Sequence, residues 1–410
     1  MKRFLKKSAS LWLAALFLLS AAIPALAVIE GDADGDGALT PADARLVLRC
    51  AIGLEAIAPE RLSYCDLDAD GSITPADARL ALRHAIGLFT ENNNPAPPTQ
   101  QPPAKNTKTE YMQALADMMS TDEIADNFGI FTERVGPRWY TSEGMDRGRG
   151  WIRGILYYYG FDESEITQDW FVCKEQDACN VYTKITTAVP DPDILLFVAH
   201  YDSHHTGAGA VDNASGVCTV LEIARILKDL NKNKKVDFGV EIRFLFTSCE
   251  EQGYYGAYRY VNGFSSLSLD RHVAVFNVDM SAHFKSGVNH YLCVSTRSSY
   301  GSDAQPNMAS LAVDAAKQLV GSCGEYAYRS PVAAGWHDLI PFEKNGVPGI
   351  TLSWREINYD NSHGSQDGLA SPAEIHSDRD VAENVDMDSL YRTTRLAVAA
   401  AGALVYDYLP

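Results

Sequence analysis

The sequence has too few basic residues for a nucleic-acid-binding protein. Its 410 residues include 35 Lys and Arg against 53 Asp and Glu, which gives a formal charge of −18 at pH 7. This excess of negative charge repels both a nucleic-acid backbone and an anionic membrane surface. The composition is otherwise globular, with 46% hydrophobic and 21% charged residues, and the length allows more than one domain.

Cysteine motifs and long apolar runs are also scarce. The eight cysteines include no CxxC pair, which argues against a cysteine-ligated zinc site, and their pairing is left open. Cys50 and Cys65 are candidates for a local disulfide. One apolar run, roughly residues 11–19, follows four basic residues and precedes an A-L-A site. This pattern predicts a secretory signal peptide over residues 1–27, an extracellular location and no membrane span after cleavage.

Two copies of one segment follow, offset by 34 residues, with residues 32–54 aligned without a gap to residues 66–88. Each copy has acids at loop positions 1, 3 and 5, Gly at position 6 and Asp at position 12, which is the spacing of an EF-hand-type calcium loop. Two copies in register argue against the alternative of an acidic solvated turn. The predicted calcium ligands are Asp32, Asp34, Asp36, the Ala38 carbonyl and Asp43, then Asp66, Asp68, Asp70, the Ser72 carbonyl and Asp77.

A tandem pair of loop-plus-helix units of this length resembles dockerin domains. The resemblance covers about residues 30–90 and implies a small all-α module with two calcium ions. It also implies docking onto a cohesin-bearing scaffold protein, or onto a cell-surface anchor that carries cohesins. Pro-Ala in each loop differs from the Ser-Thr of well-known type I dockerins. The cohesin contacts that the resemblance implies are Pro41, Ala42, Leu48, Arg49, Pro75, Ala76, Leu82 and Arg83.

The rest of the chain divides into a linker and a large domain. We place the dockerin module at residues 28–90, a Pro-rich linker at 91–109 and the large domain at 110–410. In the large domain short apolar strands alternate with amphipathic helices, which predicts an α/β fold with a mostly parallel central sheet flanked by helices. The predicted strands are 194–199, 240–247, 272–278 and 290–294, and the predicted helices are 111–119, 146–159, 216–230 and 391–408.

Potential metal ligands follow three of those strands. HYD at 200–202 ends one strand, CEE at 249–251 follows another, and Asp279 follows a third, while Asp212 precedes a helix. Each residue alone fits a solvated turn, but ligands gather at the carboxyl ends of strands in such sheets. Imidazole and carboxylate groups together suit Zn²⁺, with Mn²⁺ or Co²⁺ as alternatives.

The motifs HYDS, GAVDNASGV, CEEQGYYGA, NVDMS and HSDRDVAEN, in this order, resemble those of secreted bacterial leucyl aminopeptidases. These di-zinc exopeptidases share a superfamily with glutaminyl cyclases. The similarity spans nearly all of residues 110–410, includes VGPR at 135–138, and implies the zinc-exopeptidase fold, two zinc ions and peptide substrates. It implies that His200 and Asp279 bind one zinc, Glu251 and His376 bind the other, Asp212 bridges both, Asp202 orients His200, and Glu250 is the general base.

Two further residues and three other functions stay open. Met280 and Phe342 are candidates for the pocket that receives the first substrate side chain, and ordinary core positions explain them equally well. The alternatives to an aminopeptidase are a glutaminyl cyclase-like aminoacyltransferase with one zinc, a carboxypeptidase-type relative, and an inactive binding subunit on a scaffold. The complete ligand set favours two metals and hydrolysis, and the intact general base argues against an inactive subunit.

Overall fold

The computed structural model describes two compact units, residues 1–96 and residues 97–410. Within them, the described residues are 31–51, 54–67, 73, 77–78, 80–82, 107–232, 236–285, 290–295, 307–320, 327–328, 337–357 and 369–409. The predicted signal peptide and most of the predicted linker lie outside this set. So do these predicted site residues: Asp68, Asp70, Ser72, Pro75, Ala76 and Arg83. Among the described residues, no helix has the length and apolar character needed to cross a bilayer.

The described part of the first unit packs around a small apolar core. Helix α1 (Pro41–Ala51) follows the first acidic loop, and the short helix α2 (Leu62–Cys65) precedes the second. Val47 and Cys65 are fully buried. They pack with other apolar side chains of the unit, namely Ala33, Ile57 and Ala78. Because this core is small, apolar burial alone gives the unit little stability.

A mixed sheet runs through the second unit. Its described strands are β1 (Thr167–Cys173), β2 (Gln176–Ile185), β3 (Ile194–His200), β4 (Glu241–Thr247), β5 (His272–Val278), β6 (His290–Ser295), β7 (Ala327–Tyr328), β8 (Gly349–Ile357) and β9 (Leu369–Ala370). They lie in the order β1-β2-β4-β3-β5-β8-β6-β7, with β9 paired to β8. The four central strands, β4, β3, β5 and β8, run parallel. β1 and β2 pair antiparallel with their neighbours, and β6 pairs antiparallel with β8 and parallel with β7. The predicted α/β fold with a parallel centre is therefore confirmed.

Helices cover both faces of this sheet. They are α3 (Lys108–Ala116), α4 (Thr121–Gly129), α5 (Glu143–Tyr158), α6 (Gly216–Lys232), α7 (Tyr255–Asn262), α8 (Ser266–Leu269), α9 (Met308–Val320), α10 (Leu339–Lys344) and α11 (Met387–Tyr406). Every residue of β3 is buried, as expected for a parallel strand covered on both faces. Leu195 and Phe197 belong to one core cluster, while Leu196 and Val198 belong to a second. Since side chains alternate along a strand, the two clusters lie on opposite faces of the sheet.

Candidate metal centre

Three neighbouring parallel strands deliver the candidate ligands to one edge of the sheet. His200 is the last residue of β3, and Asp279 directly follows β5. Glu251 lies four residues beyond the end of β4, which pairs with β3. Asp212 lies in the turn before α6, and its peptide bond to Asn213 is cis. The sheet thus brings together residues that are far apart in the sequence.

The predicted ligands form two clusters that share one carboxylate. In the first cluster, His200 Nε2 lies 3.1 Å from Asp212 Oδ1 and 3.6 Å from Asp279 Oδ1. In the second, His376 Nε2 lies 3.4 Å from Asp212 Oδ2 and 3.1 Å from Glu251 Oε2. Each group of three donor atoms is compact enough to hold a metal ion. Asp212 contributes a different oxygen to each cluster, which is the geometry of a bridging ligand.

The donor atoms fit zinc in spacing and in chemistry. Tetrahedral ligands at ~2.0–2.1 Å from Zn²⁺ are separated from each other by about 3.3 Å. The four separations within the clusters, 3.1, 3.6, 3.4 and 3.1 Å, scatter around that value. In addition, Glu251 Oε1 is buried and has no hydrogen-bond partner among the described residues. A buried carboxylate oxygen without a hydrogen-bond partner fits a site in which a bound cation would be its partner.

Buried negative charge also accumulates here. Burial raises the pKa of the Glu251 carboxyl to about 7, and the charge of Asp212 adds to the effect. Burial likewise raises the pKa of Glu250 well above its usual range, with Asp338 and Asp279 contributing. Hydrogen bonds to Asp212 and Glu251 raise the pKa of His376 to about 10. The carboxylates therefore lack sufficient positive charge from side chains, and bound cations would supply it.

Asp202 contacts two parts of the site. His200 Nδ1 lies 3.5 Å from Asp202 Oδ1 and 3.2 Å from the Asp202 carbonyl oxygen. A proton on Nδ1 leaves the Nε2 lone pair free for a metal, as the resemblance implied. The Asp202 carboxylate also accepts the backbone N–H groups of Glu250 (3.1 Å) and Glu251 (3.2 Å). This second contact was not predicted, and it fixes the loop that carries both glutamates.

Glu250 belongs to neither ligand cluster, although it is buried beside them. Its carboxyl interacts with the charges of His200, Asp279 and Asp338. Asp338 accepts a hydrogen bond from the Thr247 hydroxyl through one oxygen, and its other oxygen is buried without a partner among the described residues. Glu250 thus interacts with residues of the candidate ligand set and contributes no donor atom to either cluster.

Two buried residues that were not predicted as site residues hold the loop of the bridging carboxylate. Asp380 accepts the backbone N–H of Asp212 at 3.2 Å. Arg138 donates to the carbonyl oxygens of Tyr201 (2.6 Å) and Ala208 (2.7 Å). Both lie in segments that carry the family resemblance, VGPR and HSDRDVAEN, and that was the available signal. Their partners are backbone groups, which residue type and spacing do not reveal.

The predicted pocket residues are core residues in this structure. Phe342 is fully buried in the second core cluster, and its ring centroid lies 5.9 Å from that of Tyr260. Met280 is 3% exposed and belongs to the first cluster. The Met280 backbone N–H donates to Asn213 Oδ1 at 3.0 Å. The burial of both side chains agrees with the core alternative, and the role in a substrate pocket stays a prediction.

The first acidic loop of the small unit collects the predicted calcium ligands. Asp32, Asp34 and Asp36 each offer an oxygen to one compact group that could hold a cation. Asp43 is fully buried and accepts the backbone N–H of Ala33 at 3.0 Å. In the second repeat, Asp77 accepts the equivalent backbone N–H, that of Leu67, at 2.7 Å. The sequence repeat is therefore also a repeat of hydrogen bonding.

Exposed apolar side chains occupy equivalent positions in the two repeats. Leu48 is 39% exposed and Leu82, the matching residue of the second copy, is 42% exposed. Ala42 is also exposed, and Arg49 forms an ion pair with Glu55 at 3.0 Å. Ala42, Leu48 and Leu82 of the predicted cohesin surface are thus exposed.

Comparison with known proteins identifies the families. Residues 180–401 match peptidase family M28, and residues 30–84 match the dockerin type I domain. Because the first match covers more than half of the length of this chain, the chain belongs to peptidase family M28. Aminopeptidase YwaD of Bacillus subtilis is 29% identical over 212 residues, which are 52% of this chain and 41% of that protein. The chain therefore spans less than half the length of this relative.

Solved structures share the fold of the large unit. BSAP, a zinc aminopeptidase from Bacillus subtilis, aligns with a TM-score of 0.57 at 16% identity, covering 69% of this chain and 94% of that chain. Glutaminyl cyclase of Porphyromonas gingivalis aligns with a TM-score of 0.51 at 19% identity, covering 70% and 98%. Such identities show the fold alone, and the predicted zinc-exopeptidase fold is confirmed. Family M28 implies zinc in the large unit, and the dockerin match implies calcium in the small one.

Proposed function

We propose that the large unit is a two-zinc aminopeptidase that removes N-terminal residues from peptides. The observation that carries the proposal is the pair of three-donor clusters sharing Asp212. His200 and Asp279 would hold one zinc ion, and His376 and Glu251 the other. The aminopeptidases among the relatives and structural neighbours support the choice of reaction.

The side chains around the clusters then have separate tasks. When bound, zinc supplies Lewis acidity at the scissile carbonyl and at an attacking water. Glu250, which ligates neither ion, takes the proton of that water and gives it to the leaving amine. Asp202 holds the Glu250 backbone at 3.1 Å and keeps His200 in the tautomer that presents Nε2.

A free substrate α-amine is expected to be required. The basis is the aminopeptidase assignment, because an exopeptidase of this kind must recognise the substrate terminus. We expect at least ~100-fold lower kcat/KM for an N-acetylated peptide than for the same peptide with a free amine, since the site would lose a polar contact. Release of the N-terminal residue, measured by mass spectrometry on both peptides, checks this.

The same assay separates the alternatives. Glutaminyl cyclase activity, the alternative that the sequence left open, would appear as loss of ammonia from a peptide with N-terminal Gln, without peptide-bond cleavage. Glutaminyl cyclases are among the solved structures that share the fold. Release of C-terminal residues would instead indicate a carboxypeptidase-type relative. Equal cleavage of acetylated and free peptides would contradict the aminopeptidase proposal. No turnover of any of these peptides by zinc-loaded protein would favour a binding subunit.

Substitution of Asp380 is expected to weaken zinc binding. Its two carboxylate oxygens accept the backbone N–H groups of Val211 (2.7 Å) and Asp212 (3.2 Å). Asp380→Ala would leave these buried donors unpaired and release the bridging carboxylate. We expect zinc affinity to fall by about 10–100-fold, as for other residues that orient metal ligands. Competition with a chromophoric chelator measures it. Exposed Asp378 provides the control, and equal affinities for Asp380→Ala and Asp378→Ala would contradict the role.

We further propose that the small unit binds two calcium ions and attaches the enzyme to a cohesin-bearing scaffold outside the cell. The dockerin match, the compact group of Asp32, Asp34 and Asp36, and the exposed Leu48 and Leu82 support this. The predicted signal peptide agrees with an extracellular location. Such attachment would keep the peptidase near the other enzymes on the scaffold.

A further inference from the structure

Two buried thiols lie together next to the proposed general base. Cys173 is 0% exposed and Cys249 is 1% exposed. They belong to one small core cluster with Ala178, against which Tyr140 and Phe171 pack. Burial raises the pKa of both thiols, and each thiol also influences the pKa of the other, which agrees with their place in one cluster. Neither residue belongs to the metal clusters, and both are free thiols in the structure.

These thiols belong to two segments that meet at the site. Cys173 is the last residue of β1, at the turn that joins β1 to β2. Cys249 follows β4 and directly precedes Glu250. The turn makes a further contact with the same loop, because Lys174 Nζ donates to Gln252 Oε1 at 2.8 Å. The tip of the hairpin therefore packs against the glutamate loop.

We propose that Cys173 and Cys249 form a disulfide bond in the mature protein. The bond would tie the β1–β2 hairpin to the loop that carries Glu250 and Glu251. A disulfide requires Cβ atoms on facing segments only a few ångström apart. The two cysteines share one small buried cluster, and the segments that carry them meet at the contact between Lys174 and Gln252. The third buried cysteine nearby, Cys179, is outside this cluster, and its thiol donates to the carbonyl oxygen of Asn180 at 3.2 Å.

The chemistry is a two-electron oxidation. Each cysteine loses its S–H hydrogen, the two sulfur atoms form one bond, and two electrons and two protons pass to a disulfide oxidant, which is reduced to two thiols. Because both side chains are buried, an oxidant reaches them before the hairpin and the loop pack together. The bond would thus form during folding and resist reductants afterwards. The predicted signal peptide would direct the chain to a compartment that permits this reaction.

Thiol mapping on the full wild-type chain is the first test. The protein is refolded with zinc and calcium, either in oxidised and reduced glutathione or in excess reductant. Free thiols are blocked with N-ethylmaleimide in denaturant, and peptides are mapped by mass spectrometry without reduction. We expect the peptides containing Cys173 and Cys249 to be joined only in the oxidised sample. Complete blocking of both cysteines in that sample, or pairing of either with a different cysteine, would overturn the proposal.

The second test measures how much the proposed disulfide stabilises the protein against heat. Oxidised wild-type protein is expected to melt about 5 °C or more above the reduced protein, since a disulfide between distant residues restricts the unfolded chain. The difference should vanish in Cys173→Ala and persist in the matched buried variant Cys179→Ala. A difference that survives in Cys173→Ala would assign it to another cysteine pair and contradict the proposal. The peptide map needs no variant, so it decides the question even if a substitution impairs folding.

Discussion

Glu250→Gln is expected to lower kcat by about 10²–10⁴-fold while the protein keeps both zinc ions. The carboxamide has the same shape as the carboxylate but cannot accept the proton of the attacking water. Metal content should be unchanged because Glu250 belongs to neither ligand cluster. The two measurements are kcat on an aminoacyl-nitroanilide and the zinc content per chain by elemental analysis.

The neighbouring residue provides the matched control. Glu251→Gln removes an anionic ligand whose Oε2 lies 3.1 Å from His376 Nε2, and it should weaken one metal site. The two variants carry the same substitution, Glu to Gln, at neighbouring positions. If Glu250→Gln lost a metal ion and Glu251→Gln kept both, the assignments of base and ligand would be reversed.

The sequence predicted three of the four central strands, β3, β4 and β5, because their pattern is continuous and apolar, and it missed β8. β3 was placed at 194–199 and is observed at Ile194–His200, with every residue buried. The β1–β2 hairpin was missed for the opposite reason. β1 reads TQDWFVC and is mostly half-exposed at the sheet edge, so its apolar run is limited to its last four residues. Its turn residues, Lys174 and Glu175, have positive φ without the Asn-Gly or Asp-Gly pair that usually marks such turns.

The metal ligands were predictable for two different reasons. His200 and Asp279 follow apolar strands, so the rule for strand ends in parallel sheets finds them. His376 lies in a loop with φ of 59°, where no hydrophobic period exists, and only the family motif indicated it. The burial of Phe342 could not be predicted, because an apolar residue near a site motif fits a pocket wall and a core position equally.

Calcium removal is expected to unfold residues 28–90 and to abolish cohesin binding. The acids of the first loop, Asp32, Asp34 and Asp36, offer oxygens within 4.8 Å of one another, and without a cation they repel each other. The small core around Val47 and Cys65 provides little free energy to oppose that repulsion. Circular dichroism of the isolated segment during a calcium titration measures the folding, and pull-down with a cohesin from the same organism measures the binding.

The large unit should be independent of this transition. Asp34→Ala combined with Asp36→Ala removes two exposed loop acids, so in the full chain we expect loss of cohesin binding with unchanged peptidase activity. Magnesium is the ionic control, because its smaller, octahedral coordination does not suit a loop with calcium spacing. A segment with the same helical signal in chelator and in calcium would contradict metal-coupled folding. If the segment folded with calcium and still bound no cohesin, the result would support the calcium sites and contradict the docking function.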